Sequence, residues 1–387
     1  MSTRITLPAP DGGTERLTLR EPPSWRRPSA PPASRIAYAA AHVVADPYAD
    51  NSPGRPARLD WDATLAVRRD LWSWGLGVAE AMDTAQRGMG LDWAATRELI
   101  RRSAAEATPC GGRIVAGAGT DQLTGAPGTL DEVVAAYAEQ VTVVQECGAT
   151  PVLMASRHLA ALATGPEDYL RVYELVLREV SGPVVLHWLG DMFDPALSGY
   201  WGSTDLDEAT ATFAALVHAH AGLVDGVKVS LLDAGREVRL RELLPPEVKV
   251  YTGDDYHYPE LIEGDGKRFS HALLGAFAAI APAASAALGR LDADDPAGFR
   301  AVLDPTVPLS RHLFAPPTPY YKTGIAFLSW LNGRQPGFTM VGGLHAGRGV
   351  PHMVEAFRLA DAAGLLRDPE LAARRMRAYL DVAGVPG

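Results

Sequence analysis

From residue 36 to about residue 290 the chain alternates short, nearly continuous apolar runs with longer stretches in which apolar residues recur every three or four positions. The short runs are Ile36 to Val44, Gly77 to Met82, Ile114 to Ala118, Pro151 to Ala155, Val184 to Trp188, Gly226 to Val229, Lys249 to Thr252 and Leu274 to Ile280. Runs of that length with no polar face predict strands buried on both sides. The intervening stretches predict helices over Trp61 to Trp74, Trp93 to Ala107, Leu130 to Cys147, Glu167 to Glu179, Asp205 to His220, Leu240 to Leu244 and Tyr258 to Ile262, with Pro282 to Leu288 after the last strand. Strand followed by helix, repeated about eight times over some 250 residues, predicts a parallel α/β architecture and specifically a (β/α)₈ barrel. An open doubly wound sheet is the alternative, but Ala116-Gly-Ala-Gly-Thr120 imitates the dinucleotide-binding glycine pattern only in part, lacking the third glycine in register.

The ends differ from this repeat. Arg4 to Leu7 and Glu15 to Leu19 read as two short strands around the turn formers Pro10-Asp-Gly-Gly13, a small β-hairpin. Glu21 to Ala33 contains five prolines and is expected to be an extended linker. After the barrel, Pro296 to Leu303, Tyr321 to Leu331, Met353 to Ala363 and Pro369 to Ala383 show helical periodicity. The expected organisation is therefore hairpin and linker over 1–33, a barrel over 34–290 and an α-helical C-terminal extension over 291–387.

Composition narrows the function. A net charge of −10 and a pI near 5.5 leave no basic surface for nucleic acid or an anionic membrane. Two cysteines, Cys110 and Cys147, cannot build a disulfide framework, and no apolar stretch approaches a membrane span or a leader, so a cytoplasmic protein acting on a small molecule is expected.

In a barrel of this kind the chemistry lies where the strands end. Those ends are polar here: His42; Asp83, Thr84, Gln86 and Arg87; Thr120 and Asp121; Ser156, Arg157 and His158; His187 with Asp191; Lys228 with Ser230; and Asp254, Asp255 and His257. For each taken singly, a solvated loop group or a helix cap is the plainer reading. Lys228 stands out. Only four of the 36 basic residues are lysines, and this one interrupts the apolar run Gly222-Leu-Val-Asp-Gly-Val-Lys-Val-Ser230. Such a side chain can pack its stem and send its amine to water. Desolvated inside a barrel it can instead lose its proton, as arginine cannot, and attack a carbonyl to form a Schiff base.

Ile114-Val-Ala-Gly-Ala-Gly-Thr-Asp121, Glu146-Cys-Gly-Ala-Thr-Pro-Val-Leu-Met-Ala155, Val184-Val-Leu-His187, Asp225-Gly-Val-Lys-Val-Ser230 and Val250-Tyr-Thr-Gly-Asp-Asp255 resemble, in order and spacing, the dihydrodipicolinate synthase and N-acetylneuraminate lyase superfamily. The resemblance runs from about Ile36 to Ala383. It implies a TIM barrel, a class I aldolase, lyase or dehydratase acting on a small polar keto acid or keto sugar derivative, no cofactor, and assembly as a homodimer or homotetramer. It places Lys228 at the Schiff-base position and Asp254 and Asp255 at the turn that shapes the pocket.

The departures from that pattern set further expectations. The threonine pair that holds a substrate carboxylate is reduced to Thr84 within Met82-Asp83-Thr84-Ala85-Gln86, and the tyrosine that relays protons is replaced by His187. His187 is therefore the expected proton relay, with Thr84 orienting the substrate. Arg87 or Arg157 is the candidate anion clamp, and Asp83, Gln86, Asp191, Ser230 and His257 are candidate substrate contacts. The loop from Leu189 to Thr204, with Phe193, Tyr200 and Trp201, is either a surface or subunit-contact loop or a lid. Two alternatives stay open: a divalent-metal enzyme using His42, Asp83, His187, Asp191, Asp254 and His257, and a barrel that binds a sugar or acid without turning it over.

Overall fold

The computed structural model describes residues 3–9, 12–125 and 128–385; Pro10 and Asp11 of the expected turn lie outside them. Strands β1 (Arg4–Pro8) and β2 (Thr14–Thr18) pair antiparallel, Arg4 opposite Thr18, and form the expected hairpin. The chain then builds β3 (Ala37–Ala40), α1 (Trp61–Ser73), β4 (Gly77–Glu80), α2 (Trp93–Cys110), β5 (Ile114–Ala118), α3 (Leu130–Glu146), β6 (Thr150–Leu153), α4 (Arg157–Leu162), α5 (Pro166–Glu179) and β7 (Val184–Leu189). It continues with α6 (Leu206–Ala219), β8 (Val224–Ser230), α7 (Ala234–Leu243), β9 (Lys249–Thr252), α8 (Tyr258–Glu263) and β10 (His271–Leu274). Strands β3 to β10 close into one parallel eight-stranded barrel, β10 pairing with both β9 and β3.

Alternate residues of each strand face opposite ways, which sorts the core. Tyr38, Ala79, Val115, Val152, Val185, Tyr251 and Leu273 fill the barrel interior, whereas Val184, Leu186, Trp188, Val224, Val227 and Val229 pack outward beneath the helices. Lys228 lies between Val227 and Val229, in register with His187 and Tyr251 on its two neighbouring strands, and so points inward.

The eighth strand falls earlier than the expected Leu274 to Ile280. It is His271–Leu274, and the alanine-rich stretch beyond Gly275 is α9 (Phe277–Asp292), because alanine has the highest helix propensity. Pro282 interrupts α9 with non-helical torsions at Ile280, and Arg334 Nη1 donates 2.7 Å to the Ala278 carbonyl that Pro282 cannot serve. Helix α7 starts six residues before the expected Leu240, capped by Asp233 on the Arg236 amide, and its weak amphipathicity explains why the periodicity concealed it.

The extension adds α10 (Pro296–Leu303), α11 (Val307–Leu313), α12 (Tyr321–Leu331), α13 (Val350–Ala362) and α14 (Pro369–Val382). Its helices share one apolar core with the barrel and the hairpin: Ile5, Leu7, Ala39, Val78, Leu274, Phe277, Phe327, Met353 and Met376 are members of the same buried cluster. Among the described residues no helix is long and apolar enough to cross a membrane.

Candidate active site

Lys228 is 8% exposed, and its amine forms no hydrogen bond or ion pair among the described residues. Burial drives its pKa down, while the charges of Asp83 and Asp255 act the other way. Asp255 experiences the mirror image: burial pushes its carboxyl up, against the Ala276 amide that donates to Oδ1 at 2.8 Å and against Lys228 itself. Both groups are therefore biased toward their neutral forms. The turn after β9 is built for this lysine. A Cβ on Gly253 would stand 2.2 Å from Ser230 Oγ, 2.8 Å from the Val229 carbonyl oxygen and 3.0 Å from Lys228 Cε, so only glycine leaves the lysine its path.

His187 lies fully buried beside Lys228, with Nε2 3.2 Å from Ser230 Oγ and Nδ1 without a partner. Burial, and secondly the charge of Lys228, holds its pKa well below the usual histidine value. The ring is thus neutral near pH 7, so of the acid and base sides of the expected proton relay it is ready there only to accept a proton.

Thr84 occupies a one-turn 3₁₀ helix, Asp83–Ala85, just past β4. Ala81 and Gln86, on either side, both have left-handed backbones, at φ 50° and 67°. Such torsions cost on the order of 1–3 kcal/mol each, the kind of strain that tends to collect at functional sites. Thr84 Oγ1 hydrogen-bonds the Tyr321 hydroxyl at 2.7 Å, and Tyr321 is the first residue of α12. Its ring stacks on Phe314 at 4.2 Å and meets Phe193 edge-on at 6.3 Å. Gly275, closing β10, makes room: a Cβ there would come within 3.0 Å of both the Tyr321 and Phe314 rings and 3.4 Å of Thr84 Oγ1. Burial, reinforced by Asp83 and Asp255, keeps Tyr321 a phenol by raising its pKa far above the ordinary value.

Two cavities open beside this cluster, of about 290 Å³ and 230 Å³. Asp83, Arg87, Arg157, Leu189 and Asp194 line both. Thr120, Ser156 and His158 line the larger, joined by Thr120 Oγ1 at 2.6 Å from Ser156 Oγ and 3.0 Å from His158 Nδ1. Tyr321 and Lys322 line the smaller. Lys228 borders neither; Asp83, whose charge reaches Lys228, Tyr321 and Lys322, connects it to them.

The remaining candidates are placed as follows. Arg87 lines the cavities but is committed to Asp121, to Gln140 and, at 2.7 Å, to the Gly117 carbonyl. Arg157 is half exposed and paired with Asp194. Gln86 clamps the loop carbonyls of Met89 and Val341 at 3.2 and 2.7 Å. Asp254 caps its own turn, accepting from the Tyr256 and His257 amides at 2.8 and 3.0 Å and contacting His257 Nδ1 at 2.9 Å. His257 borders a separate groove with Tyr256, Arg300 and Arg311, and Asp191 is exposed in another. In the loop after β7, Tyr200 and Trp201 are buried against Tyr169, Tyr173 and Phe213, which makes them core anchors rather than parts of a lid. Among the described residues no three His, Cys, Asp or Glu side chains gather in a way that could hold a metal ion; of His42, Asp83, His187, Asp191, Asp254 and His257, Asp254 and His257 are in contact, as a pair.

His42 shows why. Its Nε2 lies 2.8 Å from Gln335 Oε1 and therefore carries the proton, while Nδ1 has no partner. Complete burial, together with Arg334 and Arg68, depresses its pKa to about 3. A depressed histidine pKa means stability that is present above the unfolded value of 6.5 and lost as the pH falls toward 3. His42 is expected to cost the fold about 1.4 kcal/mol per pH unit below 6.5. Urea denaturation at pH 7 and pH 5 should show a smaller acid loss in His42→Gln; an unchanged loss would contradict a buried neutral imidazole.

Tyr321 and Lys322 were invisible to a reading of strand ends, because they come from the C-terminal extension, not the barrel. The family model described as "Protein of unknown function (DUF993)" matches residues 5–385. The chain belongs to this family. No curated protein matches the sequence. Among solved structures, this DUF993 chain is similar to YagE of E. coli K12, a prophage protein of the dihydrodipicolinic acid synthase family in complex with pyruvate: 15% identity, TM-score 0.67, covering 86% of this chain and 99% of that one. The dihydrodipicolinate synthase of Bacteroides thetaiotaomicron gives 14% and 0.64 over 84% and 98%. The chloride-inhibited enzyme of Acinetobacter baumannii complexed with pyruvate gives 15% and 0.62 over 86% and 100%. The fold expected from the sequence resemblance is thus the fold of the DUF993 chain.

Proposed function

We propose that this protein is a class I lyase or aldolase, in which Lys228 forms a Schiff base with a small polar keto acid or keto sugar derivative. The observation that supports it most is a buried, inward-facing amine without an ion-pair partner, biased toward its neutral, nucleophilic form. The amine lone pair attacks the carbonyl carbon, and the carbonyl electron pair moves to oxygen, which takes up a proton. The carbinolamine then expels that oxygen as water after a second protonation, the nitrogen having lost one proton, to leave a C=N⁺H iminium. Asp255, kept as a carboxylic acid by its burial, supplies the proton for water loss. Asp83 takes a proton from the adjacent carbon, whose electron pair flows into the iminium to give an enamine. Cleavage of a carbon–carbon or carbon–oxygen bond uses the same electron sink.

The phenol of Tyr321, hydrogen-bonded to Thr84, delivers protons to and from the substrate in this reading. His187, neutral and bonded to Ser230, is a positioning residue for that serine and for Lys228. Homodimer or homotetramer assembly is proposed on the resemblance alone.

Enamine formation exchanges hydrogens next to a carbonyl with solvent, which gives an assay that needs no natural substrate. With pyruvate or hydroxyacetone in deuterium oxide, the protein is expected to speed deuterium uptake, followed by proton NMR. Tyr321→Phe keeps the stacking on Phe314 and removes the hydroxyl, so exchange should fall by roughly 10²–10⁴-fold, the contribution of a positioned acid or base. Exchange at the wild-type rate in Tyr321→Phe would remove the phenol from the mechanism.

A further inference from the structure

Schiff-base chemistry uses one buried lysine and leaves a second unexplained. Lys322, on α12 directly after Tyr321, is 2% exposed. Its amine has one hydrogen-bond partner, the Met89 thioether sulfur at 3.2 Å, and lies 5.4 Å from the centre of the Tyr321 ring. Neither neutralises a charge, and among the described residues no carboxylate is within ion-pair distance. Burying an ammonium without a counter-ion is unfavourable, and a chain is expected to tolerate it where a ligand supplies the missing charge. Burial lowers the pKa of Lys322 to about 8, leaving it mostly cationic at neutral pH.

Its surroundings narrow what that ligand is. Lys322 lines the 230 Å³ cavity together with Asp83, Arg157 and Tyr321. The two arginines expected to clamp an anion are both engaged, Arg87 by Asp121 and Gln140 and Arg157 by Asp194. Asp83 makes no ion pair among the described residues, and its charge is felt by Lys228 as well as by Lys322. Once Lys228 has become an iminium it is a fixed cation. Asp83 then faces two positive centres, and Asp194, the other carboxylate whose charge reaches Lys322, is already paired with Arg157.

We propose that Lys322 binds an anionic group of the substrate, a carboxylate or a phosphate, set apart from the carbonyl that meets Lys228. Lys322 is thus a specificity-determining residue, supplied to the barrel mouth by the C-terminal extension. The proposal rests on the Schiff-base reading for the word substrate, but not for the anion site itself.

The test separates the two. In a Lys228→Met protein, which can form no imine, malonate and inorganic phosphate are titrated by calorimetry, with and without Lys322→Met. A charge-assisted hydrogen bond is worth enough that removing Lys322 should weaken the preferred anion at least about tenfold. Stronger malonate binding identifies a carboxylate site, and stronger phosphate binding a phosphate site. Lys322→Arg should retain part of the affinity. Thermal melting checks the fold, and Lys322→Met should melt at or above the parent temperature because a buried charge has gone. Equal affinity with and without Lys322, or no affinity for either anion, overturns the proposal. In the protein with Lys228 intact, Lys322→Met should reduce borohydride trapping of ketones whose anion stands away from the carbonyl, levulinate or hydroxyacetone phosphate, at least about tenfold more than it reduces trapping of acetone. Lys322-dependent anion binding without any trapped ketone would sink the Schiff-base reading and uphold the anion site.

Discussion

Lys228→Met is expected to abolish exchange of pyruvate or hydroxyacetone α-hydrogens, returning it to the rate of solvent alone. The loss should be on the order of 10⁵-fold, the scale on which a covalently held, oriented reactant exceeds its free counterpart. Folding should survive the change. The amine has no partner to orphan, and the methionine side chain fills a similar volume beside Gly253, so replacing a desolvated lysine is expected to hold or raise stability. The pattern to look for is lost exchange in a protein that unfolds at the parent urea concentration. Exchange within about tenfold of the parent in the folded variant would mean that Lys228 is a buried structural amine.

The second large effect lies under the site rather than in it. Arg68 on α1 and Glu80 at the end of β4 are both fully buried and meet through two hydrogen bonds, Nη2 to Oε1 at 2.7 Å and Nε to Oε2 at 2.8 Å. Arg68 Nη1 also donates to the carbonyls of His42 and, at 3.1 Å, Thr64. Glu80 Oε1 accepts from the amide of Ala81, 2.9 Å away, where the chain turns left-handed toward Asp83 and Thr84. Glu80→Ala leaves the guanidinium buried without its counter-charge and should cost about 3–5 kcal/mol in urea denaturation. The double variant Arg68→Met, Glu80→Leu removes both charges and should recover most of that loss. It should not recover exchange activity, since the Ala81 amide would still lack its acceptor. A single-variant loss under about 1 kcal/mol would show that the pair is dispensable.

How legible all this was in the sequence depended on where each signal came from. The seven strands up to Thr252 were readable because a parallel strand buried on both faces shows as an uninterrupted apolar run. The eighth was displaced because the stretch following it, from Ala276 to Leu288, is equally apolar and helical, and apolar runs alone do not separate the two. Lys228 was legible because a lone amine in an apolar strand is a local anomaly. Asp254 and His257 looked alike as polar residues past a strand, but their hydrogen bonds close the turn they belong to. Tyr321 and Lys322 were not legible as site residues. They reach the barrel mouth only because α12 packs there, more than 230 positions from Thr84 and Met89, a long-range contact that leaves no local pattern.

The central claim is that Lys228 meets a carbonyl and holds it covalently. It is tested most directly by adding sodium borohydride to the protein with pyruvate, digesting the product and locating the added mass by tandem mass spectrometry. A reduced adduct on the peptide that contains Lys228, and none on those containing Lys249, Lys267 or Lys322, is the predicted result. An adduct spread over exposed lysines, or none at all with every ketone offered, would contradict it.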